Sequence, residues 1–227
     1  MAEIEPIIEN ARTLLVGQSP LAREDTFLLD HSLRVMRVAD RLSTCAEVRD
    51  WRIDRHALRV AALFHQAATV RLEEERRTST VYAAATMSAQ DVKEYSAELA
   101  GDRLRSQLPA RQLELVQETI RRAHDRTVDL AEAKILSDAD SLDDIGALGV
   151  WRDLRRQVLE GRGVGDAVRA WQRREQYGYW RARLEEAFNL RTARRLAEAR
   201  LAGARQFMEQ LAAEGEAADG DLGEGAT

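Results

Sequence analysis

Three of the four histidines in this 227-residue chain sit at helical spacing from apolar residues, where a side chain must lie to act from a protein interior. Leu28, His31, Val35, Val38 and Leu42 follow steps of three and four. Leu58, Ala61, Ala62 and His65 do the same, and so do Leu113, Val116, Ile120 and His124. The pattern predicts three imidazoles pointing inward from three separate helices. His56, beside Asp54 and Arg55 at a helix start, reads as a surface residue. A single inward histidine is ordinarily a hydrogen-bonded core residue. Here a carboxylate cluster follows: Asp138, Asp140, Asp143 and Asp144 in ILSDADSLDDIGALGV. Capping of helix starts accounts for one or two such aspartates, not readily for four. Imidazoles and carboxylates that converge from several helices in a bundle core can hold a divalent metal.

The elements that must carry these residues are helices throughout. Proline occurs only at Pro6, Pro20 and Pro109, β-branched runs are scarce, and Ala, Leu, Arg and Glu dominate. The periodicity predicts a first helix over 4–16, stopped by Gly17 and Pro20, a second over 27–46 and a third over 53–68. A charged, Ser/Thr-rich loop at 73–80 separates these from helices over 88–107 and 109–124, the latter with Pro109 in its first turn. Two further pieces, 130–136 and 141–160, flank the aspartate cluster. Gly161, Gly163 and Gly165 mark a flexible connection, after which 167–214 is helical with a break near Asn189. Trp151, Trp171, Tyr177, Tyr179 and Trp180 gather in this region and are read as core by default. The last stretch, GEAADGDLGEGAT, offers too little apolar surface to offset its ordering entropy and is expected to be a disordered acidic tail.

Composition narrows the function classes. With 44% hydrophobic and 32% charged residues, no run of 18 apolar residues and no secretory leader after Met1, the sequence predicts a cytoplasmic protein with no membrane partner. The lone Cys45 forms no internal disulfide, fits a reducing compartment and reads as a packed, inert thiol. A net charge of −5 argues against a nucleic-acid partner. The length suits one domain, and the oligomeric state is left open.

The segments DHSLRVMRVADRLS, HALRVAALFHQAATV and EAKILSDADSLDDIGALGVWR together resemble the three motifs of the HD superfamily of metal-dependent phosphohydrolases. The C-terminal stretch YWRARLEEAFNLRTARRLAEARLAGARQFMEQLAAE resembles the closing helices of small bacterial single-domain members, so the likeness covers roughly residues 20 to 214. It implies an all-α bundle with a short N-terminal helical segment (1–19), an HD-like domain (20–214) with extended C-terminal helices, and the tail (215–227). It also implies that His31, His65 and Asp138 hold a divalent metal ion: Mn, Fe, Ni, Zn or Mg.

One departure stands out. Where the family has the aspartate of its His-Asp pair, this chain has Gln66, a neutral and poorer ligand. The resemblance then implies a weakened, mononuclear site. It would act on a nucleotide or other small phosphate ester, with Asp143 or Glu132 relaying a proton and Arg34 stabilising developing charge. His124, Arg152 and Gln66 are expected on the substrate side. The alternative is a catalytically inactive HD-like module that binds a nucleotide or a protein partner.

Overall fold

A computed structural model describes residues 4–19, 22–71 and 88–216. Pro20, the expected loop at 73–80 and all but the first two residues of the expected tail lie outside them. The chain divides into two compact units, Met1–Asp140 and Ser141–Thr227, and each is described by itself.

The first unit is helical apart from one small ladder. Helix α1 (Glu5–Leu15) carries Pro6 in its first turn, where the missing N–H leaves no helical bond unmade. Two-residue strands β1 (Gly17–Gln18) and β2 (Glu24–Asp25) pair antiparallel, Gly17 opposite Asp25, an element that the sequence did not signal. Helix α2 (Phe27–Leu42) ends four residues earlier than its apolar stripe suggests. The hydroxyls of Ser43 and Thr44 turn back to donate to the Asp40 and Arg41 carbonyls, and a 3-10 turn at Ala46–Val48 follows.

Helix α3 (Arg55–Phe64) starts at Asp54, whose carboxylate accepts the Ala57 N–H. It buries Ala57, Leu58, Val60, Ala61, Ala62, Leu63 and Phe64, so it is apolar nearly all round and forms the centre of the unit. Full burial of a side chain such as Leu58 or Phe64 contributes about 1.5–3 kcal/mol. Helices α1, α2 and α5 (Ala110–Arg122) pack against it.

Helix α4 (Ala89–Leu104) begins with a capping box in which Ser88 and Asp91 satisfy each other's backbone N–H groups. Its buried face is small (Ser96, Ala97, Ala100, Gly101), which lets α5 (Ala110–Arg122) come close. A Cβ on Gly101 would collide with the Gln117 amide, which donates to the Ala97 carbonyl. Helix α6 (Ala131–Asp143) runs unbroken through the aspartates that were expected to separate two helices. Asp138 and Asp140 are therefore helix-interior residues, not caps.

In the second unit, α7 (Ala147–Leu159), α8 (Val164–Gln176) and α9 (Tyr179–Glu186) pack along the 25-residue α10 (Arg191–Gly215). The break before α7 falls at Gly146, with φ +94° and a Cβ position only 2.7 Å from Arg200 Cβ. Gly178, also left-handed, separates α8 from α9, and the expected break near Asn189 precedes α10. The aromatic cluster splits. Trp171 and Trp180 are core, their rings 4.9 Å apart, whereas Trp151 is 57% and Tyr177 79% exposed, contrary to the default reading. Exposed aromatics arise there because α7 and the α8–α9 turn each present only one face to α10. No helix among the described residues is long and apolar enough to cross a membrane.

Candidate metal centre

His31 is held on the buried face of α2, flanked along its stripe by Val35, and is 1% exposed. His65 is the C-cap of α3 and keeps helical backbone angles (φ −60°, ψ −21°), so its side chain stays in register with Leu58, Ala61 and Ala62. Its Nδ1 donates to the Ala62 carbonyl at 2.7 Å, which fixes the tautomer and leaves the Nε2 lone pair available. The Nε2 atoms of the two rings stand 3.2 Å apart. Asp140 Oδ1 on α6 lies 3.2 Å from His31 Nε2 and 3.4 Å from His65 Nε2.

These three atoms form one triangle with edges of 3.2–3.4 Å. Ligands about 2.0–2.2 Å from a divalent ion stand roughly 2.8–3.6 Å from each other in tetrahedral or octahedral geometry, so the donor set fits such an ion. The chemistry of the donors agrees. A His65 lone pair facing a carboxylate oxygen is repulsive unless a cation or proton lies between them. Among the described residues, His31, His65 and Asp140 are the group of His, Cys, Asp and Glu side chains whose donor atoms converge in this way.

A third imidazole reaches the same carboxylate. His124 Nε2 donates to Asp140 Oδ2 at 2.9 Å. His124 is not on the stripe of α5, as its spacing predicted. The helix ends at Arg122, and His124 adopts a left-handed backbone, φ +64°, which costs an L-residue about 1–2 kcal/mol. Burial opposes ionisation of Asp140, but the His124 N–H donated to Oδ2 and the other imidazoles around it outweigh it and hold the carboxyl well below the usual carboxylate range. Asp140 is thus charged, and three rings surround it.

The structure brings Asp140, rather than the expected Asp138, into the donor triangle with the two histidines. The two aspartates stand about 200° apart around α6 at 100° per residue, so one helix face cannot present both. Asp138 continues the apolar stripe of Ile135 and Leu142 and is fully buried. Asp140 shares the stripe of Ala133 and Ser137, and Ser137 touches His124 through that residue's backbone N–H. Gln66 is placed just after His65, where its amide oxygen accepts the Thr69 hydroxyl at 2.8 Å. Arg34 stands one turn beyond His31 on α2, half-buried.

Glu132 is engaged elsewhere. Its Oε1 accepts the Asp54 N–H at 2.7 Å, at the opposite end of α3 from His65 and about 12 Å along α6 from Asp140. Asp143 and Arg152 lie in the second unit, in a network where Arg152 Nη1 is 3.7 Å from Asp143 and 2.6 Å from Asp144, which also pairs with Arg183. His56 is half-buried rather than on the surface: its Nε2 is enclosed without a partner, and burial pushes its pKa down.

The fold and site define a class: a helical bundle in which two helix-borne histidines and a downstream aspartate meet to form a divalent-metal donor set. The family model for the HD domain matches residues 28–145, just over half of the chain, and the chain belongs to that family. Solved structures agree on the fold. Bacillus subtilis YpgQ in complex with ADP is 21% identical with a TM-score of 0.62, over 93% of this chain and 97% of that one. An HD-superfamily hydrolase from Bacillus thuringiensis is 20% identical with a TM-score of 0.59, over 94% and 97%. A predicted HD-superfamily hydrolase from an uncultured Thermotogales bacterium is 23% identical with a TM-score of 0.56, over 93% and 92%. No curated protein matches the sequence.

Proposed function

We propose that this protein is a metal-dependent phosphohydrolase that acts on a nucleotide or another small phosphate ester through a single divalent ion held by His31, His65 and Asp140. The observation that carries the reading is the triangle of donor atoms, 3.2–3.4 Å on a side, two imidazole nitrogens and one carboxylate oxygen. A bound ion would supply Lewis-acid activation of a water nucleophile and of a phosphoryl oxygen. The chain's own residues do the rest. His65 is kept in its ligand tautomer by the Ala62 carbonyl. Asp140 supplies the charge that compensates the cation. His124, with 34% of its side chain exposed, holds a proton at Nε2 against Asp140 Oδ2, where it is suited to general acid–base work. Arg34, one turn from His31, is the nearest arginine along α2 to meet an anionic substrate.

A nucleotide is the favoured substrate class because a relative of the same fold, YpgQ, was solved with ADP. Gln66 favours a second reading. Its oxygen is taken by Thr69 rather than adding a negative ligand, as a non-hydrolytic nucleotide-binding module would tolerate.

The test is metal content of protein purified without chelator, followed by ADP hydrolysis with Mn²⁺. The reading expects about one metal ion per chain, lost in His31→Ala and Asp140→Asn and retained in Asp138→Asn, with phosphate release dependent on it. ADP binding without turnover would establish the module reading. A wild type that takes up neither Mn²⁺ nor Ni²⁺ would sink both the metal site and the hydrolase.

A further inference from the structure

The peptide unit between Ala123 and His124 is gripped at both ends by side chains from two other helices. Its carbonyl accepts Lys93 Nζ, from α4, at 2.5 Å. Its N–H donates to Ser137 Oγ, from α6, at 2.7 Å. The Ser137 hydroxyl gives its own proton to the Ala133 carbonyl at 2.6 Å, so its lone pairs are free to accept. Immediately after this peptide, His124 takes its left-handed φ of +64° and delivers Nε2 to Asp140. A peptide plane held at both its polar ends cannot rotate, and that rotation is what would return His124 to an ordinary conformation and carry its ring away.

We infer that Lys93, together with Ser137, is a positioning residue that locks the Ala123–His124 peptide and so aims the His124 imidazole at Asp140. The choice of residue supports this. Among 34 basic residues the only lysines are Lys93 and Lys134, and a single ammonium on a flexible stem is suited to capping one carbonyl, whereas a guanidinium presents a planar fork of donors. Burial lowers the Lys93 pKa while the charges of Asp125 and Asp140 raise it, which places the ammonium within electrostatic reach of the site carboxylate. A plain helix-end cap on α5 would need the carbonyl contact alone. The second grip by Ser137 and the left-handed residue between cap and carboxylate are what make it a positioning device.

The inference rests on the proposed site for its purpose, but its test does not. In metal-free, isotope-labelled full-length protein, the imidazole resonances of His124 report its Nε2–H hydrogen bond. Lys93→Met and Ser137→Ala should each shift those resonances toward a free, solvent-exchanging ring. Each should also weaken Mn²⁺ binding roughly tenfold, the low end for loss of an outer partner of a metal ligand. In a His124→Ala background, Lys93→Met should change Mn²⁺ affinity by less than about twofold, because its effect runs through the ring that is gone. Unchanged His124 resonances in both single variants would overturn the inference, as would an equal loss of Mn²⁺ affinity with and without His124. Should Lys93→Met not fold, Ser137→Ala decides by the same signature. If the wild type binds no Mn²⁺, the site reading fails, and the resonances alone still judge Lys93.

Discussion

The two compact units are both helical, yet among the described residues only the first encloses a convergent group of polar donors. The first buries large side chains such as Leu58, Leu63, Phe64, Leu104 and Ile135 together with small ones such as Ala57, Ala61 and Ala62, and it holds a polar centre in which His31, His65 and Asp140 face one another. The second mixes sizes too, with Ala193, Ala197 and Ala204 buried, but its centre is aromatic: Trp171 packs against Trp180, with Phe188, Leu190, Leu201 and Met208 also buried. Its charges pair toward the rim, as where Arg174 meets Asp153 and lies over the Tyr179 and Trp180 rings. Small side chains allow helices to approach and hold polar atoms at fixed distances. Large aromatics supply apolar area. The difference teaches that the first unit carries a desolvated donor set inside an otherwise apolar core, whereas among the described residues the second encloses no such group.

The largest effect that would break or sharpen this contrast belongs to the aromatic core. Trp180→Ala should cost about 3–5 kcal/mol in denaturant unfolding. The folded variant should still take up Mn²⁺ as the wild type does, and loss of uptake would refute the division of labour.

A smaller effect lies in the first unit, at the end of α3 away from the site. Asp54→Ala removes the cap of α3 and should cost about 1–2 kcal/mol at pH 7. Burial disfavours the Asp54 charge, but the Ala57 N–H and the Gln112 amide together outweigh it and depress its pKa. A depressed carboxylate stabilises the fold above its unfolded pKa, and that contribution is lost as pH falls through the folded value. The difference between wild type and variant should therefore shrink below about pH 4. An undiminished difference at pH 3 would show that the cap does not act through its charge.

The smallest change should be a gain. Thr119 is fully buried on α5 with a hydroxyl that finds no partner, so Thr119→Val should raise stability by about 1 kcal/mol. A loss would mean that the hydroxyl serves the polar centre after all.

Much of the fold could be read from the amino acids. Helix periods, Pro109 before α5, the glycine break before α8 and the break near Asn189 all depend on local propensity, which acts over a turn or two of chain. The inward positions of His31 and His65 follow from the same periodicity. Other features were out of its reach. The sequence Asp-Ala-Asp offers two carboxylates two residues apart, and only the rotation of α6 against its neighbours decides that Asp140 is the one that joins both histidines in the donor triangle. A faint signal existed, since Ala133, Ser137 and Asp140 form one stripe. Its meaning, however, depends on what faces it. His124 looked helical, yet it sits beyond the helix in a left-handed turn, because contacts from residues 31 positions before it and 13 after it fix the peptide that precedes it. Glu132 read as part of the chemistry and is instead bound to the start of α3, 78 residues away. Local propensity sets which residues are helical and which face is apolar. Contacts between residues far apart in the chain set which polar groups meet, and only the folded chain brings them within hydrogen-bond reach.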